Sequence, residues 1–274
     1  MLTSTTRSKT SISWFLVAGA LMAIFHIGLV FASDDGSLLP LSVLFWLSTG
    51  TLIWQKRSRI QFQASWSAQI LAAALFVALL LIGLQAPADN YLAAMPFIAM
   101  IAFALGTTGW RFWVQYKPEL LLMFMFGIPK VILWPIADLR GITARFTTML
   151  LQLGQFAPVR DGNVIHLPTG SIDVVQDCSG LNGILYLLAM SALLLVMLPL
   201  HNSKRYWVPF IGVVVAFFTN GLRVAFLAIM AAHPDPTKFD AWHGSSAFSL
   251  GALGVFVGVY CLMLWRDQQS TAQS

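Results

Sequence analysis

The sequence predicts an all-α integral membrane protein of about eight transmembrane helices, with an interfacial amphipathic helix and a short outer β-hairpin. Three observations carry this prediction. Of 274 residues, 58% are hydrophobic and only 10% charged, against about 25% charged in soluble domains. A water-soluble fold of this size cannot hide so much apolar surface. The apolar residues also fall in runs of about 17–25, the length that crosses ~30 Å of hydrocarbon. Finally, the charges between runs change sign from one connection to the next.

Arg7 and Lys9 precede an apolar run from Ile12 to Ala32. That run is too long for a signal-peptide core and has no clear cleavage site, so it reads as a first membrane helix. Further spans follow near 38–54, 67–84, 91–110, 118–135, 178–200, 207–232 and 245–265. With the N-terminus in the cytoplasm, the inner segments hold Arg7, Lys9, Lys56, Arg57, Arg59, Arg111, Lys117, Lys204, Arg205 and Arg266, and only Glu119 and Asp267 as acids. The outer segments hold Asp34, Asp35, Asp89, Asp138, Asp161, Asp173, Asp177, Asp235 and Asp240 against Lys130, Arg140, Arg145, Arg160 and Lys238. This asymmetry obeys the positive-inside rule and puts both termini inside.

The long outer segment after the fifth span has structure of its own. From Ile136 to Phe156 it is apolar, with Asp138, Arg140 and Arg145 on one side. That pattern predicts an amphipathic helix at the interface or tucked between helices. The following GNVIHLPTGSIDVV alternates apolar and polar residues about a Pro168-Thr169-Gly170 turn and reads as a β-hairpin. Residues 268–274 read as a loose tail. No repeat, linker or low-complexity segment divides the chain, so 1–274 reads as one transmembrane domain.

Composition also excludes some functions. The net charge of +5 invites a nucleic-acid reading. The basic residues, however, lie in short clusters between apolar spans, where they act as topology signals. Cys178 and Cys261 are the two cysteines, too few and too far apart for a disulfide framework or a zinc site. No metal or cofactor is called for.

Three residues stand out. Cys178, in Asp-Cys-Ser-Gly, sits where the hairpin meets the sixth span. A thiol at a helix N-terminus has its thiolate stabilised by the dipole and by free N–H groups; the competing reading is a small buried hydrophobe. Arg223 lies within the seventh span, where a cation costs about 2.5–3.5 kcal/mol on insertion scales and so marks function by default. Asn220 is three residues earlier, on the same face. A structural arginine tying helices together is the alternative. His243 lies at the outer start of the eighth span, and histidine is the residue type suited to general acid or base work near neutral pH; His233 is a nearby rival and His166 a weaker one. His26, His201 and Cys261 read as structural. Gly-Ser-Ser at 244–246 is a weak sign of a serine protease, since small residues also help helices pack. The topology, argued from charge alone, puts Cys178, Arg223 and His243 at one depth, as an acyl-transfer site needs.

These residues also carry a family likeness. Gly162-Asn163, Ile165, Leu167-Pro168, Gly170-Ser171-Ile172, Asp177-Cys178-Ser179-Gly180-Leu181, Asn220-Gly221-Leu222-Arg223-Val224 and His243 occur in that order. With their membrane placement, the stretch from about Gly127 to Gly254 resembles the exosortase/archaeosortase family of membrane-embedded transpeptidases. The first half resembles it only in being hydrophobic.

The resemblance implies a catalytic cysteine at Cys178, with Arg223 and a third basic residue at His243. It departs at Gly244, which follows the histidine at once, with Gly251 next; His233 therefore stays open for the third role. Arg223 would stabilise the oxyanion, or hold the thiolate or the substrate carboxyl; Asn220, Ser179 and Gly180 are the supporting residues, with Asn220 and the N–H groups around Ser179 assisting. The implied substrates are exported proteins with a C-terminal motif, a membrane helix and a basic tail, of the PEP-CTERM type in bacteria. The enzyme would sit in the cytoplasmic membrane with its site facing outward.

On this reading, helices over about 12–135 form a scaffold, 136–265 a catalytic half and 266–274 a cytoplasmic tail. Two rivals remain. A transporter or channel would use Arg223 as an anion site, and a non-catalytic subunit of a surface-polymer export system would need none of the three residues.

Overall fold

The computed structural model describes residues 3–33, 38–85, 88–201, 203–233, 235, 237–243 and 245–273. Asp34, Asp35 and Gly244, named above, lie outside the described residues. The chain divides into two compact units, Met1–Ile132 and Leu133–Ser274.

The first unit holds α1 (Thr3–Ala32), α2 (Leu38–Lys56), α3 (Trp66–Gly83), α4 (Asp89–Thr108), a 3-10 turn Gly109–Arg111, the single-turn α5 (Phe112–Gln115) and α6 (Lys117–Leu133). In lipid a helix is the segment that satisfies its own backbone polar groups, which is why these apolar runs are helical. α4 is the most buried of them and packs against α1 and α3. Small residues set the spacing. At Gly127 of α6 an added Cβ would lie 2.0 Å from the Ala93 carbonyl oxygen, so only glycine lets α6 approach α4 there.

Two buried polar groups tie the unit together. His26 is fully buried. Its Nδ1 accepts from the Trp46 indole N–H (3.1 Å), which leaves the proton on Nε2 for donation to the Leu92 carbonyl (2.9 Å). This neutral histidine therefore joins α1, α2 and α4. Lys56 Nζ pairs with Glu119 Oε2 at 2.8 Å and lies 4.3 Å from the Tyr116 ring centre.

The second unit holds α7 (Arg140–Leu153), β1 (Val159–Asp161), β2 (Val164–Leu167), β3 (Gly170–Asp173), a 3-10 turn Gln176–Cys178, α8 (Leu181–Met197), a 3-10 turn Ser203–Tyr206, α9 (Trp207–Ala231), α10 (Thr237–His243) and α11 (Ala247–Gln273). α9 packs against α7, α8, α10, α11 and β3.

The hairpin is present as β2–β3, in register Val164↔Asp173 to Leu167↔Gly170. A third strand, β1, makes the sheet β1-β2-β3. The extra strand forms because Gly162 (φ +57°) takes the first position of a two-residue loop, where a II′ turn demands glycine. Ile165, Leu167 and Ile172 turn inward to pack with Val224 and Leu227 of α9. Gly170 lies against the end of α9, with Thr169 Oγ1 donating to the Ala232 carbonyl at 2.8 Å.

α7 begins at Arg140 rather than Ile136, because Asp138 accepts from the Arg140 N–H (3.0 Å) and its guanidinium (2.8 and 2.9 Å). At the other terminus the helix continues through Gln273 instead of loosening after 267: no Gly or Pro lies between 259 and 273, and Asp267 accepts from the His201 N–H at 2.9 Å.

Each span expected from the sequence falls on a helix. Among the described residues, five helices are long and apolar enough to cross a membrane: Leu38–Lys56, Trp66–Gly83, Asp89–Arg111, Lys204–Ala231 and Thr237–Ser270. Leu16–Ala32 and Leu181–Met197 are apolar but shorter, and α6 carries Lys117, Glu119 and Lys130. The protein is thus a largely helical membrane protein with a small three-stranded sheet.

Candidate active site

The turn that carries Cys178 links β3 to α8 and is held almost entirely by hydrogen bonds. The Cys178 N–H donates to Val175 O (2.9 Å) and the Ser179 N–H to Gln176 O (3.1 Å). Both amides are therefore committed, and the Ser179 N–H is not free to assist as expected. Ser179 Oγ accepts from the Leu181 N–H at 3.4 Å, at the start of α8. Gly180 adopts φ +88°, and a Cβ there would come 2.8 Å from Asn220 Nδ2. Its lack of a side chain lets Asn220 reach over and donate to the Cys178 carbonyl at 2.9 Å.

Two further contacts were not legible beforehand. Thr143 of α7 donates from Oγ1 to the Ser179 carbonyl at 2.7 Å. Gln176 Nε2 donates to the Ala137 carbonyl at 2.9 Å. The four-residue spacing of Thr143 and Thr147 on the apolar side of an amphipathic helix was the available signal.

Cys178 is a free cysteine, 4% exposed, among Val174, Val224 and Leu227. Burial pushes its thiol above the ordinary value. The Arg223 guanidinium, through its charge and a hydrogen bond, pulls it down; Asp177 and Asp173 push it up again. Burial dominates, so the resting sulfur is a thiol. The expected help from the helix dipole is small, because α8 begins three residues later and its field falls off within a turn.

Arg223 is half-buried on α9, one turn after Asn220. Its Nη2 donates to the backbone carbonyl of His243 at 3.2 Å. The arginine thus meets His243 at the main chain, and its charge acts on the Cys178 thiol. The His243 ring is exposed and stacks on Phe239, with centroids 5.2 Å apart and planes 18° from parallel. Among the described residues no hydrogen bond joins that ring to Cys178. His243 is brought to the site by its backbone at the end of α10.

The rivals lie elsewhere. His233 Nδ1 accepts from the Asp235 N–H (3.1 Å), and Lys238 Nζ stands 3.0 Å from its Nε2. His166 is exposed on β2. His201 pairs with Asp267 at 3.2 Å. Ser245 Oγ accepts from the Ala247 N–H at 3.2 Å, a serine turn at the entrance to α11. Cys261 is exposed on α11.

Beside the site an open apolar groove of about 410 Å³ runs along α9, lined by Leu150, Leu222, Phe226, Ile229 and Phe248. Among the described residues no three His, Cys, Asp or Glu side chains converge as a metal site would require.

A family model described as transmembrane exosortase matches residues 34–266. No curated protein and no solved structure matches the chain. The match spans both units and includes the Cys178 turn, Arg223 and His243, so the chain belongs to the transmembrane exosortase family.

Proposed function

We propose that this exosortase is a cysteine transpeptidase that cleaves C-terminal sorting signals from exported proteins. The observation that carries the reading is that one face of α9 meets both other candidates: Asn220 donates to the Cys178 carbonyl at 2.9 Å, and Arg223, one turn on, donates to the His243 carbonyl at 3.2 Å.

Cys178 Sγ attacks the scissile carbonyl carbon as its proton passes to the His243 imidazole, once that exposed ring leaves Phe239 and turns toward the sulfur. Arg223 holds charge at the developing thiolate and oxyanion. The C–N bond then breaks, the leaving amine takes the proton from His243, and a Cys178 thioester remains. An incoming amine or water resolves it and regenerates the thiol. Because burial holds the sulfur protonated, substrate entry and the arginine together must favour the thiolate. The groove along α9 suits an apolar substrate segment arriving from the membrane.

The charge asymmetry of the connections supports about eight crossings, both termini in the cytoplasm and a site facing the outer side of the cytoplasmic membrane. The substrates on this reading carry a C-terminal motif, a membrane helix and a basic tail.

The test is to express a signal-bearing protein beside the parent enzyme, Cys178→Ala and Cys261→Ala, and to follow its size. The parent and Cys261→Ala should process it and Cys178→Ala should not. Processing by Cys178→Ala sinks the mechanism.

A further inference from the structure

α7 has a buried stripe of Thr143, Ala144, Thr147 and Leu151. The two threonines differ. Thr143 Oγ1 is bonded to the Ser179 carbonyl, whereas Thr147 Oγ1, one turn on and equally buried, has no partner among the described residues.

We propose that Thr143 is a positioning residue for the Cys178 nucleophile: its buried hydroxyl holds the Cys178–Gly180 turn so that the sulfur stays at Arg223. This rests on the reading of Cys178 as nucleophile.

Successive carbonyls of that turn are gripped from two helices. Asn220 of α9 takes the Cys178 oxygen and Thr143 of α7 takes the Ser179 oxygen. A trans peptide is planar, so pinning a carbonyl also orients the N–H on its far side. The Asn220 bond therefore aims the Ser179 N–H at Gln176 O, closing the turn. The Thr143 bond likewise orients the Gly180 N–H, which takes no acceptor among the described residues. Cys178 is left with its N–H bonded to Val175 O, its C=O bonded to Asn220 and the next peptide plane bonded to α7. Ser179 is wholly buried, so removing the hydroxyl strands a desolvated carbonyl that no water reaches easily. The turn then shifts to re-satisfy it, and the sulfur moves with the turn. Thr143 touches neither the sulfur nor the reacting atoms; it acts through Ser179.

The test uses the full-length purified chain carrying Cys261→Ala. The first readout needs no substrate: the fold change in Cys178 alkylation by iodoacetamide that Arg223→Gln causes at fixed pH. The groups acting on the thiol are Arg223, Asp173 and Asp177, and only the first is altered. That change should be about tenfold in the parent and under about twofold beside Thr143→Val, a non-additivity that marks coupling. Thr143→Ser should keep the parent value. Thr147→Val makes the same substitution at the unpartnered hydroxyl and should also keep it.

The second readout is processing, where Thr143→Val should lower kcat by about 10- to 100-fold with KM unchanged, and serine should restore it. Full coupling beside Thr143→Val overturns the proposal. So does equal loss in the valine and serine variants, or equal loss at Thr143 and Thr147. Should Thr143→Val fail to fold, as read by melting, Thr143→Ala replaces it and is judged against serine in the same way. If the parent shows the coupling pattern but processes no substrate, the transpeptidase reading fails and the positioning role stands.

Discussion

Arg223 donates to the main-chain carbonyl of His243 rather than to its ring. One cation on α9 thereby holds the last residue of α10 and, from the same guanidinium, bears on the Cys178 thiol. A side chain with two jobs at once needs a planar, forked donor.

Arg223→Lys should therefore fail even though the charge is kept. A lysine offers a compact point charge and cannot span the sulfur and the carbonyl together. Processing should fall by about 10²-fold, the loss typical of one transition-state donor, while the detergent melting temperature stays near that of the parent. Parent-like processing by the lysine variant would show that charge alone suffices.

The pH dependence of Cys178 alkylation follows from its surroundings. Burial raises the thiol, so the rate should climb with pH toward a midpoint above that of an ordinary cysteine. Arg223→Gln removes the group that lowers it, so the midpoint should move further up. Asp177→Asn removes a group that raises it, so the midpoint should move down. Iodoacetamide rates across pH in the Cys261→Ala background check all three signs.

Gly180→Ala should damage the site and the fold together. Its φ of +88° disfavours any L side chain, by about 1–2 kcal/mol. The new Cβ would also press on Asn220 at 2.8 Å and dislodge its bond to the Cys178 carbonyl. Thermal unfolding in detergent and processing should both decline; an unchanged melting temperature would contradict the close approach.

Ser245→Ala separates the turn before α11 from catalysis. The hydroxyl accepts from the Ala247 N–H at the start of α11, an exposed turn contact whose loss costs at most about 1 kcal/mol. Processing should persist and the melting temperature should drop slightly. Abolished processing in a folded variant would revive the serine-protease reading.

Lys56→Met should be more harmful than its exposure suggests. Glu119 is fully buried, and its second oxygen has no partner. Removing the lysine leaves an uncompensated buried carboxylate, at about 3–5 kcal/mol. Adding Glu119→Leu should recover much of that stability, as the melting temperatures of the single and double variants would show.

Most of the helices were readable in one dimension. A long apolar run such as 67–84 or 207–232 must satisfy its backbone internally in lipid, and only a helix does that with its own residues. The β2–β3 hairpin was equally local, a period-two pattern about Pro168-Thr169-Gly170. The sequence by itself thus determined the class and the run positions, and it singled out Cys178, Arg223 and His243 as candidates. Tertiary structure alone decided what surrounds them. Pairing of β1, the contact of Thr143 with Ser179, the stacking of His243 on Phe239 and the burial that raises the Cys178 thiol all join residues from different elements. Such contacts depend on which faces meet after folding, and sequence periodicity reports only which face each helix can offer.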